Sequence, residues 1–470
     1  MERFSNIETT FEEQVIPSLS EYIAIEALSP DFDAQWKQHG AIDRAAQHLF
    51  AWAMARPIRG LTGQIREIDG RTPVIVLEIP ASDDCDREDT VLLYGHLDKQ
   101  PPLGDWSEGL HPFSAVRRGD LLFGRGSVDD GYSIYASLLA LESIQQTGEP
   151  HARVVVLIEA SEESGSPDLS AHLDAMDGVL GDVGLVLCLD SGALSYDRLW
   201  VTDSLRGNIS VTLRVEVLTQ GVHSGEASGV VPSSFRIIRQ LLDRIESAAT
   251  GDILIPELNV QPPEHQLAAA VTLNEAMHDP LSHHFPTVEG LELMGRDGAD
   301  RLIRQSWAAT VSIVGFEGAP RPQDAGNVLR PSTTVKISIR TPPSVNAGDA
   351  QAVLIETLTA HPPYGAKVTV EPEATAQGWV AKQRASWLQA ALDDASRHAF
   401  GQAAGFLGEG GSIPFLAELG HRFPEAHLVA TGALGPGSNA HGPDESLHVP
   451  TAIGITKAVA HLVRAHAVHD

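Results

Sequence analysis

The chain has 470 residues, 43% of them hydrophobic and 20% charged, which is a globular composition with material for a large core and two or three domains. A formal net charge of −29 repels phosphate backbones and anionic membrane surfaces, so nucleic acid and membranes are excluded as expected partners. Two cysteines, Cys85 and Cys188, make no disulfide framework, the chain starts without a basic-then-apolar leader, and no apolar run approaches about 20 residues, so a cytoplasmic protein without a membrane span is expected.

Residues 7–28 and the Ala-rich stretch 41–56 carry helical spacing. Short apolar runs at 74–79, 91–94, 154–158 and 185–189 read as strands, and 130–146 as a helix after a Gly-rich turn. Continuous apolar strands separated by helices predict an α/β sheet covered on both faces. From Arg206 the pattern changes. Ile209, Val211, Leu213, Val215 and Val217 alternate with polar residues, as on a half-exposed strand. A helix at 233–245, strands at 307–314 and 334–339, a helix at 349–359 and a strand at 366–370 complete a β-α-β-β-α-β unit. Within it, residues 252–305, rich in Pro and His, form an insertion with no assigned structure. Helices at 387–400 and 449–463 and a strand at 428–431 restore the first pattern. The expected organisation is a catalytic α/β domain, 1–205 and 376–470, interrupted by an inserted α+β domain, 206–375.

The chemistry-bearing residues gather at strand ends. The strand 91–94 leads into His96-Leu97-Asp98, where the period of two places Asp98 beside His96, to orient the ring of a metal-binding imidazole. Taken alone, H-x-D describes a polar strand end equally well. Gly124-Arg125-Gly126-Ser127-Val128-Asp129-Asp130 precedes a helix, with Asp130 as a candidate cap and Asp129 left unexplained by capping. After the strand 154–158 come Glu162 and Glu163, either a solvated acidic turn or a ligand beside a base. Asp190 follows the strand 185–189, and His441 lies in a Gly/Pro-rich loop. Together His96, Asp129, Glu163, Asp190 and His441 suit two divalent ions if one carboxylate bridges. Imidazole and carboxylate donors match Zn(II), Mn(II) or Co(II).

In order, H-x-D, G-R-G-x-x-D-D, E-E-S-G-S, Asp190-Ser191 and His441-Gly442 resemble the co-catalytic metallopeptidase family of aminoacylase, carnosinase and acetylornithine deacetylase. The likeness spans nearly the whole chain. Glu162-Glu163-Ser164-Gly165-Ser166, Gly410-Gly411-Ser412-Ile413-Pro414 and the long insertion are most similar to the carnosinase and non-specific dipeptidase branch. This resemblance implies a mixed, mainly parallel sheet flanked by helices and a ferredoxin-like inserted domain serving as lid and dimerisation domain. It implies a cis peptide at Asp129–Asp130, with Asp129 bridging two ions, most simply Zn(II). His96 and Asp190 hold one ion, and Glu163 and His441 the other. It makes Glu162 the general base, with Asp98 supporting His96. It makes His223 the lid histidine that reaches a partner subunit's oxyanion, and Arg340 the group that holds a substrate carboxylate. Asn327, Gly411 and Ser412 then approach the substrate. Arg330 before Pro331 departs from the apolar residue expected there and leaves substrate preference open.

The implied reaction is hydrolysis of a dipeptide or similar small peptide. The alternative with the same metal centre is an N-acyl amino acid deacylase or desuccinylase. No G-x-S-x-G elbow and no P-loop occurs in the chain, which argues against serine-hydrolase and nucleotide chemistry. With Glu162 and all five ligand positions filled, a catalytically dead scaffold is the weaker reading.

Overall fold

Apolar runs buried on both faces become the centre of a sheet. In the computed structural model, which describes residues 4–282, 284–285, 287–411 and 414–469, the strands Arg153–Glu159, Thr90–His96, Val183–Cys188 and His427–Ala430 lie side by side in that order and run parallel. Val74–Ile79 joins antiparallel beside Arg153–Glu159, with Thr62–Arg66 beyond it. On the far side Trp200–Leu205 pairs antiparallel with His427–Ala430. The sheet is therefore mixed and mainly parallel at its centre. Leu93, Val156 and Leu187 share one buried core with Leu138, Leu392 and Val459 of the flanking helices Ser133–Thr147, Ser386–Phe400 and Val449–Val468.

The chain divides into two compact units. The first comprises the chain up to Asp203, Ala381–Phe406 and the chain from Glu418 onward; the second comprises Ser204–Val380 and Leu407–Ala417. In the second, the strands Thr310–Glu317, Ser332–Thr341, Gly207–Glu216 and Lys367–Pro372 form an antiparallel sheet in that order. Ile209, Val211, Leu213 and Val215 alternate into a core with Ile237 and Ile238 of helix Ser234–Leu242 and Leu354 and Leu358 of helix Ala347–Thr359. Both helices are capped in sequence-legible fashion: Ser233 Oγ accepts from the Arg236 amide and Asn346 Oδ1 from the Asp349 amide. The insertion 252–305 contributes Ile253, Ile255 and Leu258 to this core and carries helices Glu264–Met277 and Gly298–Ser306.

Three expected boundaries move for identifiable reasons. The first helix, expected to residue 28, ends at Ile23. There Lys99 Nζ, buried, donates to the carbonyl oxygens of Tyr22 (2.8 Å), Ile23 (3.2 Å) and Ile25 (2.8 Å). The helix expected from Asp130 begins at Ser133 with no side-chain cap, because Asp130 Oδ2 instead accepts the His96 amide at 3.2 Å. The strand expected from Trp307 begins at Thr310, since Trp307 closes the preceding helix.

Candidate metal centre

Parallel pairing sets the first candidate ligands. His96 lies opposite Glu159, and Tyr94 opposite Cys188, so two residues further on Asp190 comes beside His96. The C-terminal edge of a parallel sheet is where open α/β folds place their sites. His96 Nδ1 is 3.1 Å from the Asp98 carbonyl oxygen and 3.5 Å from its carboxylate Oδ1. Two acceptors at Nδ1 put the proton there and leave the Nε2 lone pair free for a metal ion. Nε2 is 3.1 Å from Asp129 Oδ1 and 3.7 Å from Asp190 Oδ2. Tyr132 Oη donates to the Leu189 carbonyl at 2.6 Å and steadies the approach to Asp190.

The Asp98 carboxylate does more than its sequence position suggests. Its two oxygens accept the amides of Glu162 (3.1 Å) and Glu163 (3.0 Å), so one buried side chain fixes both the ring of His96 and the acidic turn. Asp129 follows a turn at Gly126, whose φ of +78° suits glycine and where a Cβ would meet Lys99 Cε at 2.6 Å. The Asp129–Asp130 peptide is cis. Asp129 Oδ2 lies 2.9 Å from His441 Nε2, which is 3.2 Å from Glu163 Oε2. Gln100, which carries no sequence signal, donates from Nε2 to that same Glu163 oxygen at 2.7 Å.

His96, Asp129 and Asp190 therefore form one triad and Asp129, Glu163 and His441 another, the ligand atoms of each lying within 4.8 Å of one another. Imidazole and carboxylate donors arranged in this way fit divalent transition ions. The electrostatics agree. Burial, and then the neighbouring Asp129 and Glu163, push Asp190 up to about 7 against the pull of His96. Burial, then Asp190, pushes Glu162 well above the usual carboxylate range. Asp129 is held low: burial opposes ionisation, but the adjacent His441 and His96 rings outweigh it. Buried carboxylates crowded in this way are costly unless cations neutralise them, and a divalent ion keeps such groups ionised. The Glu162 carboxylate makes no hydrogen bond to the other described residues, so it is available to a proton.

The remaining expected residues lie in the second unit. His223, exposed, belongs to the short strand Val222–His223 paired with Val328–Leu329, and the Asn327 carbonyl accepts the Ser224 amide at 3.0 Å. His223 Nδ1 accepts the Gly225 amide at 3.0 Å, so its proton sits on Nε2. Arg340, half-buried, stands in its sheet between Thr310 and Asn208, and burial lowers its pKa. Burial, and then the Arg340 charge, hold Arg206 down to about 10. Arg206 donates to Ala308 O and Thr310 Oγ1 at 3.0 Å and to Gly410 O at 3.3 Å, and nothing in its sequence context marks it. Gly411 is exposed, with open space where a Cβ would stand, and Ser412 lies outside the described residues.

A family model described as Peptidase family M20/M25/M40 matches residues 92–465. Cysteinylglycine-S-conjugate dipeptidase of Corynebacterium striatum is 26% identical over 82% of this chain and 82% of its own length. Beta-Ala-His dipeptidase of Homo sapiens is 24% identical over 96% of this chain and 89% of its own. Among solved structures, the dipeptidase Dug1p from Saccharomyces cerevisiae has a TM-score of 0.78 at 23% identity, covering 100% of this chain and 98% of that one. Human carnosine dipeptidase 1 has a TM-score of 0.77 at 22% identity, covering 99% and 98%.

Proposed function

The chain belongs to peptidase family M20/M25/M40 and is a metallohydrolase, and from that premise we propose that it cleaves the amide bond of dipeptides at two divalent ions that share Asp129. The observation that carries the reading is the pair of ligand triads joined through one buried carboxylate. The dipeptidases named above support the substrate class. His96 and Asp190 would hold one ion and Glu163 and His441 the other, with Zn(II) the first choice and Mn(II) or Co(II) also matching the donors. Bound divalent ions polarise a scissile carbonyl and acidify water. Glu162 takes the proton of the attacking water and returns it to the leaving amine. A carboxylate beside the ions is a suitable group for taking up and returning that proton.

The proposal extends to the second unit as lid and dimerisation domain. The His223 Nε2–H suits stabilisation of a developing oxyanion, in the site of a partner subunit, and the Arg340 fork suits a substrate carboxylate, with Asn327, Gly411 and Ser412 beside the substrate. A homodimer is supported by the edge strand Thr310–Glu317, which exposes Ile313, Val314 and Phe316, with Phe235 against Phe316 at 5.8 Å. Two free thiols, Cys85 and Cys188, suit a cytoplasmic location, and no helix among the described residues is long and apolar enough to cross a membrane.

The test is a substrate panel. With metal added, dipeptides with a free carboxylate are cleaved, while N-acetyl and N-succinyl amino acids stay intact. Cleavage of the acylated amino acids alone would replace this reading with the deacylase.

A further inference from the structure

The ligands of the two triads are held in different ways. His96 ends a strand whose hydrogen-bond ladder runs between two neighbours, and Asp190 follows one of those neighbours. Glu163 is fixed through its amide by Asp98. His441 has no such support. It lies in a loop, its side chain is 54% exposed, and it adopts a left-handed φ of 64°, as do Asn439 and Asp444 around it. Something outside the loop has to hold its ring against Asp129.

Arg125 and Glu445, 1% and 0% exposed, are placed to do this. Arg125 Nη1 meets Glu445 Oε2 at 2.5 Å, and Glu445 Oε1 accepts the amides of Gly126 (2.9 Å) and Val128 (3.3 Å). The Glu445 carbonyl accepts the Gly124 amide at 2.9 Å. Arg125 Nη2 donates to the carbonyl of Gly442, the residue after His441, at 2.8 Å. It also donates at 3.2 Å to the carbonyl of Pro101, the residue after the Gln100 that bonds Glu163. One guanidinium therefore touches the chain beside His441 and the chain beside the partner of Glu163, and it belongs to the segment leading into Asp129. Those are the three ligands of a single triad.

We propose that the buried Arg125–Glu445 pair is the positioning device of the Asp129–Glu163–His441 ion, and that it sets the affinity of that ion while leaving the His96–Asp129–Asp190 ion bound. The inference rests on the two-ion reading given above. A planar fork with several donors can hold two carbonyls and a carboxylate at once, whereas a lysine ammonium at the same place is a single point charge on a flexible stem. Groups that orient metal ligands from behind typically change affinity about 10- to 100-fold when altered.

The experiment is equilibrium dialysis of the metal-stripped full-length protein against Zn(II), comparing wild type, Arg125→Lys, Glu445→Gln and His441→Ala, with thermal melts to establish that each variant folds. Wild type takes up two ions per chain. Arg125→Lys and Glu445→Gln keep one ion at wild-type affinity and bind the second about 10- to 100-fold more weakly. Adding Arg125→Lys to His441→Ala lowers metal content no further. Two ions at wild-type affinity in folded Arg125→Lys and Glu445→Gln overturn the assignment, as does equal weakening of both ions. A wild type that binds fewer than two ions overturns the two-ion reading itself, and the assignment with it. If Arg125→Lys does not fold, Glu445→Gln, which keeps the shape and removes the charge, decides.

Discussion

At the C-terminal edge of the parallel strands two imidazoles, His96 and His441, stand among Asp98, Asp129, Glu163 and Asp190, and the donor atoms converge into two triads. At the opposite edge, where the same strands begin, His427, His466 and His469 gather with Asp89 around Trp387. There the rings meet the indole: His469 stacks on it at 4.0 Å, while His466 and His427 approach edge-on at 5.9 and 6.0 Å. His466 reaches the acid, with Nε2 3.2 Å from Asp89 Oδ2, and its buried Nδ1 has no hydrogen-bond partner among the described residues. The electrostatics have opposite sign. His441 is raised to about 11, because Asp129 and Glu163 outweigh a burial that lowers it. His466 is lowered to about 4 by burial, with Arg87 and His469 adding to it and Asp89 opposing. Histidines and acids occur at both edges, but among the described residues the ligand triads form at one of them. Convergence of donor atoms separates a metal centre from an aromatic seam, and residue type alone does not.

Asp129→Ala has the largest expected effect. It removes the atoms common to both triads, so metal content falls to near zero and turnover drops by roughly 10³-fold or more, the equivalent of several kcal/mol of lost charge stabilisation. Elemental analysis beside a rate assay checks it; two retained ions would show that Asp129 is no bridge. His441→Ala is the next largest, with one ion lost and one kept.

At the other edge, His466→Phe leaves two ions and full activity but changes the pH dependence of stability. The folded pKa of His466 lies below the ordinary value near 6.5, so the fold favours neutral imidazole. Stability therefore declines as pH falls from about 6.5 to about 4, and is unaffected by this group above that window. Asp89 stays ionised there, because its two bonds from Arg87 (2.8 and 2.7 Å) and the His466 interaction outweigh burial and lower its pKa. Melting temperatures across that range decline less in His466→Phe than in wild type; parallel curves would remove His466 as the cause. The smallest effect is His469→Ala, which loses the stack on Trp387 at a cost of about 0.5–1.5 kcal/mol by chemical denaturation, with turnover unchanged.

Much of this was legible in the chain because the informative signals were local. The apolar runs at 91–94 and 154–158 are central strands, and His96, Asp129, Glu163, Asp190 and His441 fall in the two candidate triads, while Asp98, Asp130 and Glu162 lie outside them. What was missed depended on distant partners. Trp200–Leu205 carries Thr202, Asp203 and Ser204 inside a sheet, and so shows no apolar run; Thr202 is acceptable there because Ser191 Oγ meets its hydroxyl at 2.6 Å. Thr62–Arg66, an outer strand, has only Ile65 as an apolar residue. The early stop at Ile23 is set by Lys99, far along the chain. Gln100, Arg206 and the Arg125–Glu445 pair act through hydrogen bonds to segments that no periodicity brings together. Helix Glu264–Met277 has helix-favouring Leu267, Ala268, Ala269 and Ala270, yet its Pro-rich approach hid the start.

In the proposed reaction two divalent ions and the Glu162 carboxylate together hydrolyse a dipeptide. The most direct test strips the metal and adds back Zn(II), Mn(II) or Co(II), with dipeptide cleavage and metal content measured in wild type and Glu162→Ala. Wild type is expected to cleave only with metal, and Glu162→Ala to hold two ions per chain with cleavage reduced about 10²–10⁴-fold. A wild type that holds two ions and leaves every dipeptide intact, or a Glu162→Ala variant that turns over at the wild-type rate, would contradict it.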